Sequence, residues 1–287
     1  MNVAIIGLGL IGGSMAKAIQ EQTDCTVYGT DLVPSVVLRA KLTGAIDDEL
    51  TNERLHTCET VIIALYPADT VEWLRNHAAD IAKEALVVDC CGIKKFVCDQ
   101  AQPIAEANGF TFVGGHPMAG IERSGFDHSK GAMFHNASMI LTPSAGTDIR
   151  TLERAKRFFC SIGFGSITLR TPEEHDRIIA YTSQLAHVLS NAYIKSPTAP
   201  YHSGLSAGSF RDMTRVATMN PTMWTELFLE NRDHLITEID ALAERLLEYS
   251  AALKKNDADG LRRLLEDGVM MKALCDKNDE RTQENGR

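Results

Sequence analysis

The sequence predicts an α/β fold in which an N-terminal, doubly wound and mostly parallel sheet is followed by an all-helical C-terminal domain. Two observations predict it. Short apolar runs of strand length alternate with helix-like stretches in the first half, and long helical patterns replace the strands after Thr171-Pro172. Strands that are apolar almost throughout are typical of a parallel sheet covered by helices on both faces. We therefore expect a sheet domain over residues 1–170 and a helical domain over residues 171–287.

Seven apolar runs have the length of β-strands. They are Val3–Ile6, Thr26–Gly29, Val61–Leu65, Leu86–Asp89, Phe112–Val113, Met139–Leu141 and Ser166–Leu169. Helix-like segments, such as Ser14–Glu21 and Asp69–Lys83, lie between several of them. In the second half, Pro172 followed by two glutamates marks the start of a helix.

Bulk composition narrows the classes of function. The 287 residues carry a net charge of −9, which gives no basic surplus for binding nucleic acid or an anionic membrane. The longest apolar runs have only strand length, and the N-terminus lacks the basic region of a secretory signal. The seven cysteines include no CxxC pair and no zinc-site spacing. We expect a cytoplasmic protein with reduced thiols and no metal.

A glycine motif follows the first predicted strand and opens the first helix. Residues 7–13 read GLGLIGG, in the spacing GxGxxG, and this context makes the motif a strong indication of dinucleotide binding. The first glycine permits a tight turn, the second allows a pyrophosphate to approach the backbone, and the third allows close helix–strand packing. The helix N-terminus supplies free N–H groups for the phosphates. The expected cofactor-binding residues are Gly7, Gly9, Leu10, Ile11 and Gly12.

Asp31 completes the nucleotide prediction. It lies 19 residues beyond Gly12 (31 − 12), at the end of the second strand, where a carboxylate accepts hydrogen bonds from the ribose hydroxyls. A carboxylate there repels a 2′-phosphate, and Leu32 and Val33 offer no cation in its place. The sequence therefore favours NAD over NADP, although Asp31 could alternatively cap a turn.

His116 is the candidate for acid–base chemistry. It lies in the segment VGGHPMAG, after the apolar run Phe112–Val113, and ligands of open parallel sheets bind at the carboxyl ends of the strands. The unperturbed pKa of histidine is close to neutrality, which suits a base that takes a proton from a substrate hydroxyl while hydride leaves the same carbon. The alternative is a turn histidine without a chemical role.

The helical half offers partners for this histidine. Ala180, Gln184, His187 and Asn191 share one helix face, which indicates either a site lining or a solvated stripe. Farther on, the segment SFRDMTRVA contains Arg215, a residue type suited to binding a carboxylate.

A long apolar seam follows. Its members recur at alternating steps of four and three, and they are Leu235, Ile239, Leu242, Leu246, Tyr249 and Leu253. The seam predicts a helix that either packs inside its own bundle or forms an oligomer interface.

Four segments in order carry a resemblance to a known family. GLGLIGGS, GGHPMAGIERSG, PEEHDRIIAYTSQLAHVLS and FRDMTRVA…NPTMW together resemble the prephenate/arogenate dehydrogenases of tyrosine biosynthesis, over most of residues 2–235. The resemblance implies an NAD-binding domain, a helical domain that forms a homodimer, and an oxidative decarboxylation.

The resemblance also implies site roles. His116 would accept the proton of the ring hydroxyl, Arg215 would bind a substrate carboxylate, and His187 would line the substrate pocket. Trp224 would help to close the pocket, and Glu122 matches an acid near its mouth.

The sequence departs from the family pattern at Gly92. Many relatives have a serine there, whose hydroxyl assists the catalytic histidine, so a water, Cys91 or a backbone group would have to take over that task. Two other classes stay open. A β-hydroxyacid dehydrogenase would be expected to carry a lysine where this chain has His187, and a non-enzymatic NAD-responsive protein would have kept the fold without the chemistry. The choice between prephenate and arogenate stays open as well.

Overall fold

The computed structural model describes residues 1–285, with side chains described through residue 277. An eight-stranded sheet forms the first half, in the spatial order β3-β2-β1-β4-β5-β6-β7-β8. The strands are β1 Asn2–Ile6, β2 Thr26–Thr30, β3 Asp48–Glu49, β4 Thr60–Ile63, β5 Leu86–Asp89, β6 Thr111–Pro117, β7 Ser138–Thr142 and β8 Ser166–Leu169. All pairs are parallel except β6–β7, which confirms the predicted doubly wound, mostly parallel sheet.

Helices flank this sheet and then continue alone. The α-helices of the first half are α1 Leu10–Gln22, α2 Pro34–Leu42, α3 Asn52–Leu55, α4 Pro67–His77, α5 Lys95–Asn108 and α6 Ile149–Ser161. Those of the second half are α7 Pro172–Ile179, α8 Ala186–Tyr193, α9 Gly208–Thr214, α10 Pro221–Glu230, α11 Arg232–Lys254 and α12 Ala258–Asn285. No helix among the described residues is long and apolar enough to span a membrane.

The two faces of the sheet bury separate cores. On β1, Val3 and Ile5 belong to one apolar cluster, whereas Ala4 and Ile6 belong to another. This alternation follows from the two-residue period of a strand. Helix α1 contributes Met15 to the first cluster, and other helices cover the second face, so the sheet is the middle layer of three.

The strand that carries His116 is longer than predicted. The apolar pattern indicates only Phe112–Val113, but β6 continues through Gly114 and Gly115 to Pro117. The glycines interrupt the apolar pattern for a steric reason. A side chain at Gly114 would collide with Thr142, and one at Gly115 would collide with the backbone of Asp89. His116 therefore lies within a strand, opposite Ile140 of β7, rather than in a loop.

The start of the helical half follows its sequence signal. Thr171 and Glu174 form a capping box, in which each side chain accepts a hydrogen bond from the backbone of the other residue. Between α7 and α8 the chain forms a π-helical turn over Ala180–Leu185. Such turns widen the helix locally and often occur at functional sites.

Backbone contacts divide the chain into two compact units, Met1–Leu235 and a second unit that begins at Ile236. The second unit consists of the rest of α11 together with α12. The Tyr249 hydroxyl of α11 donates a hydrogen bond to the Leu264 carbonyl of α12 at 3.3 Å. The helical prediction for the apolar seam is confirmed. Leu235 is buried, but Leu246 and Leu253 remain more than half exposed.

Candidate active site

The glycine motif has the geometry of a phosphate-binding turn. Gly7 has a φ of +84°, in the left-handed region, and its N–H donates to the Thr30 carbonyl at 2.9 Å. A Cβ at Gly12 would overlap the carbonyl oxygen of Gly7, so only glycine allows α1 to start this close to the turn. A Cβ at Gly9 would have no heavy atom within 4 Å, which leaves open space above the backbone at the α1 N-terminus. This arrangement fits a nucleotide pyrophosphate.

Asp31 is held beside this turn. Its carboxylate accepts hydrogen bonds from the Leu8 and Val33 amides, both at 2.9 Å. It thus caps a turn and also orients the glycine loop. A carboxylate has about four lone-pair sites, so the two amides leave capacity for ribose hydroxyls.

His116 is part of a hydrogen-bonded chain that ends on a buried carboxylate. Its Nδ1 lies 2.8 Å from Nε2 of His175, and Nδ1 of His175 lies 2.6 Å from Asp176. The same carboxylate accepts the backbone amides of Lys94 and Lys95, at 2.7 and 2.8 Å. These amides are the first free N–H groups of α5, where the helix dipole favours a negative charge. Asp176 therefore caps α5 and orients His175 at once.

A second buried charge lies beneath His116. Lys94 is fully buried and forms an ion pair with Asp89, and its ammonium also donates to the Gly115 carbonyl at 2.6 Å. Asp89 in turn accepts the Gly115 and Cys91 amides, at 3.0 and 2.9 Å. Burial acts to lower the pKa of Lys94, but the Asp89 carboxylate together with Cys91 and Cys98 outweighs it, and the pKa lies above the usual value. The pair fixes the backbone of Gly115, directly before His116, and that of Cys91.

The electrostatics keep His116 neutral. Burial, followed by His175 and Lys94, lowers the pKa of His116 well below its ordinary value of 6.5. His175 is also affected, since burial lowers its pKa even though Asp176 opposes the shift. A neutral imidazole at neutral pH is able to accept a proton.

Gly92 leaves room beside the base. A Cβ at Gly92 would lie 3.9 Å from Nε2 of His116 and 3.6 Å from the side chain of Leu227, which are ordinary contact distances. The Cys91 thiol does not fill the place of the missing hydroxyl. It is buried and hydrogen-bonded to Thr70 and to the Leu65 carbonyl, at 3.4 and 3.5 Å.

The four candidate substrate-binding residues form two contacting pairs. Arg215 forms an ion pair with Glu122, and the His187 and Trp224 rings stack with centroids 3.8 Å apart. The pairs are neighbours, because the charges of Arg215 and Glu122 both act on the pKa of His187, which burial lowers. Nδ1 of His187 lies 2.9 Å from the Ser183 carbonyl and donates to it, which leaves Nε2 as an acceptor.

Sequence reasoning missed the residues that support His116. His175, Asp176, Lys94 and Asp89 were given no role, although the first two stand together just after the capping box. Gln184, on the predicted polar helix face, belongs neither to a site lining nor to a solvated stripe. It is buried, donates to the Leu227 carbonyl at 3.1 Å and accepts from Asn231 at 2.8 Å. The π-helical turn, which the periodicity did not reveal, shifts the helical register here.

The fold and the glycine turn define a nucleotide-binding protein that holds a hydrogen-bonded histidine near the end of β6. Residues 15–168 match the family described as "Prephenate dehydrogenase, nucleotide-binding domain", and residues 171–267 match "Prephenate dehydrogenase, dimerization domain". The chain belongs to the prephenate dehydrogenase family. It is therefore an enzyme, and the hydroxyacid and non-enzymatic alternatives are set aside.

Individual relatives agree with this assignment. A Bacillus subtilis protein named "Prephenate dehydrogenase" is 31% identical over 91% of this chain and 72% of its own length. A Zymomonas mobilis protein named "Cyclohexadienyl dehydrogenase" is 31% identical over 91% of both chains. The crystal structure of the Aquifex aeolicus prephenate dehydrogenase, solved with hydroxyphenyl propionate and NAD⁺, is 26% identical with a TM-score of 0.81, covering 96% of this chain and 98% of that chain.

The lowered pKa of His116 predicts the pH profile. We propose the neutral ring as the base, so kcat/KM should stay constant as the pH falls through 6.5 and should decline only through the lower pKa of His116. Steady-state rates at constant ionic strength would show this acidic limb. A limb at or above pH 6.5 would contradict the assignment of His116 as a partly buried, neutral base.

Proposed function

We propose that this chain catalyses the NAD-dependent oxidative decarboxylation of prephenate to 4-hydroxyphenylpyruvate. The observation that carries the proposal is the neutral His116, which buried charges support and whose Nε2 lies next to Gly92. The Bacillus subtilis relative bears the name of this activity. Arogenate, which would give tyrosine directly, is the alternative substrate, because the Zymomonas mobilis relative has the broader name cyclohexadienyl dehydrogenase.

NAD is the proposed hydride acceptor. The turn formed by Gly7, Gly9 and Gly12, with the backbone of Leu10 and Ile11, would hold its pyrophosphate, and Asp31 would accept hydrogen bonds from its ribose. When bound, NAD supplies a nicotinamide ring that takes up hydride. The Aquifex aeolicus structure was solved with NAD⁺.

Each side chain of the site has a separate role in the proposed reaction. His116 takes the proton from the ring hydroxyl through Nε2 as hydride leaves the same carbon. Arg215 binds a substrate carboxylate, with which Glu122 competes as the present partner of the guanidinium. His187 and Trp224 form one wall of the substrate pocket. Loss of the ring carboxylate as CO₂ leaves an aromatic ring, which drives the reaction forward.

The direct test is NADH formation with prephenate and with arogenate, each with NAD⁺ and with NADP⁺. Prephenate with NAD⁺ is expected to be the fastest pairing, and His116→Ala should lower kcat by roughly 10²–10⁴-fold because the general base is lost. NAD⁺ binding, followed by fluorescence, should survive the substitution. His77→Ala, at a histidine that stacks on Trp73 of α4, is the matched control. Absence of NADH in all four pairings, or an unchanged rate in His116→Ala, would sink the proposal.

Arg215 gives a separate prediction. Arg215→Ala should raise KM for prephenate by roughly tenfold or more, because a charge-assisted bidentate contact contributes about 1.5–3 kcal/mol. Arg211→Ala, one turn earlier and also exposed, should leave KM unchanged. A normal KM in Arg215→Ala would contradict the carboxylate contact.

Gly92 predicts a gain of activity. Gly92→Ser fits without displacing Leu227 and places a hydroxyl near Nε2 of His116. One additional hydrogen bond of about 1 kcal/mol would raise kcat by roughly fivefold. Gly92→Ala adds the same Cβ without the hydroxyl and should give no increase. Equal rates in the serine and alanine variants would show that the hydroxyl has no role.

We also propose a homodimer formed through the C-terminal helices. Beyond the buried start of α11, large apolar side chains of the second unit stay more than half exposed, and these are Leu246, Leu247, Leu253, Leu265, Val269, Met270, Met271 and Leu274. An apolar surface of this size on one helical hairpin is typical of a protein interface. The family name of the domain that covers residues 171–267 supports the same assignment.

Sedimentation equilibrium tests the dimer. The chain is expected to sediment at about twice its mass of 31.5 kDa. Leu253→Glu should shift the equilibrium toward the monomer, because it places a charge in the apolar surface, whereas Glu244→Gln should not. A wild-type protein that remains monomeric at high concentration would contradict the proposal.

A further inference from the structure

The hydrogen-bonded chain from Asp176 to His116 has only one consistent arrangement of protons. The Lys94 and Lys95 amides can only donate, and each donates to a different oxygen of the Asp176 carboxylate. An ionised carboxylate only accepts, so Nδ1 of His175 carries the proton that it donates to Asp176. At neutral pH the other nitrogen of His175, Nε2, then has a lone pair.

The same logic extends one ring farther. Nε2 of His175 lies 2.8 Å from Nδ1 of His116. Because Nε2 of His175 has a lone pair and accepts, Nδ1 of His116 must carry the proton of this hydrogen bond. His116 therefore carries its proton on Nδ1, and its own Nε2 has a lone pair. That nitrogen is the one beside the space at Gly92.

We propose that His175 and Asp176 are positioning residues that hold His116 in the Nδ1–H tautomer and receive the positive charge that the reaction creates. The inference rests on the proposed function, since it explains why Nε2 of His116 is able to act as the base.

The proton moves stepwise from the substrate through His116 to His175. Nε2 of His116 takes the proton of the substrate hydroxyl, and the C–H electron pair leaves that carbon as hydride for NAD⁺. The Nδ1 proton of His116 then moves to Nε2 of His175, so that His116 is neutral again. The imidazolium is now His175, whose other nitrogen contacts the Asp176 carboxylate at 2.6 Å. The charge thus lies beside an anion until the ring carboxylate leaves as CO₂; its electron pair makes the ring oxygen a phenolate, and the proton returns through His116 to that oxygen.

Nitrogen NMR on the free protein reads the tautomer directly. Protein labelled with ¹⁵N only in histidine gives long-range ¹H–¹⁵N correlations that distinguish Nδ1–H from Nε2–H, and His116→Asn identifies the His116 signals. The expected result is Nδ1–H for both His116 and His175. Nε2–H at His116 would overturn the proposal. Because this measurement needs no substrate, it stands even if the enzyme acts on neither prephenate nor arogenate.

A variant then tests the consequence for rate. His175→Asn keeps a donor for Asp176 but is too short to contact His116, so His116 should populate both tautomers. We expect kcat to fall by roughly 10- to 10³-fold, within the range of a general-base contribution, while KM for prephenate changes less than about threefold. His77→Asn is the matched control and should change neither value. An unchanged kcat, or a loss confined to KM, would overturn the proposal, and if His175→Asn fails to fold the wild-type tautomer decides.

Discussion

The structure depends most on the carboxylate of Asp176. Burying a charge is costly unless it is fully hydrogen-bonded, and Asp176, which is 2% exposed, accepts two backbone amides of α5 and the ring of His175. This single group joins the first helix of the helical half to the start of α5, just after the central strand β5. Loss of one partner from a buried charged network of this kind typically costs about 3–5 kcal/mol.

Further buried polar contacts reinforce this junction. The backbone carbonyl of Asp176 accepts the Asn231 amide at 2.8 Å, and Asn231 also donates to Gln184 at the same distance. On the sheet side, the Lys94–Asp89 pair fixes Gly115 and therefore the strand position of His116. Among the residues whose side chains are described, Ser190 has the single buried polar atom without a hydrogen-bond partner. The buried side chains that support His116 are thus all hydrogen-bonded, which is how buried polar groups specify one arrangement.

The residues of the site fall into two groups, those that local sequence patterns predict and those that they do not. The sheet, the glycine turn and the approximate place of His116 follow from local patterns, because period, turn chemistry and strand order are all encoded over short stretches. The supporting residues do not follow from such patterns. Lys94 and Asp89 lie five residues apart at a strand end, and a buried ion pair there has the same sequence appearance as an exposed one.

The hydrogen-bonded series His116–His175–Asp176 could not be predicted from local sequence patterns for a related reason. Its members are separated by about 60 residues and meet only because α7 packs on the end of the sheet. Beta strand β6 gives a further example, since its glycines weaken the strand signal at the point where close backbone approach requires them. The roles proposed for Arg215, His187, Trp224 and Glu122 came from the family resemblance, and their contacts here are compatible with those roles.

The central claim is that Asp176 and His116 act as one catalytic unit, and a double-mutant cycle tests it most directly. Turnover of prephenate would be measured for His116→Ala, for Asp176→Asn and for the double variant, with folding checked by circular dichroism. If the carboxylate works through the histidine, the double variant will be about as slow as His116→Ala alone, because the second change has nothing left to act on. Losses that multiply independently would contradict the claim and leave Asp176 as a structural cap of α5 only.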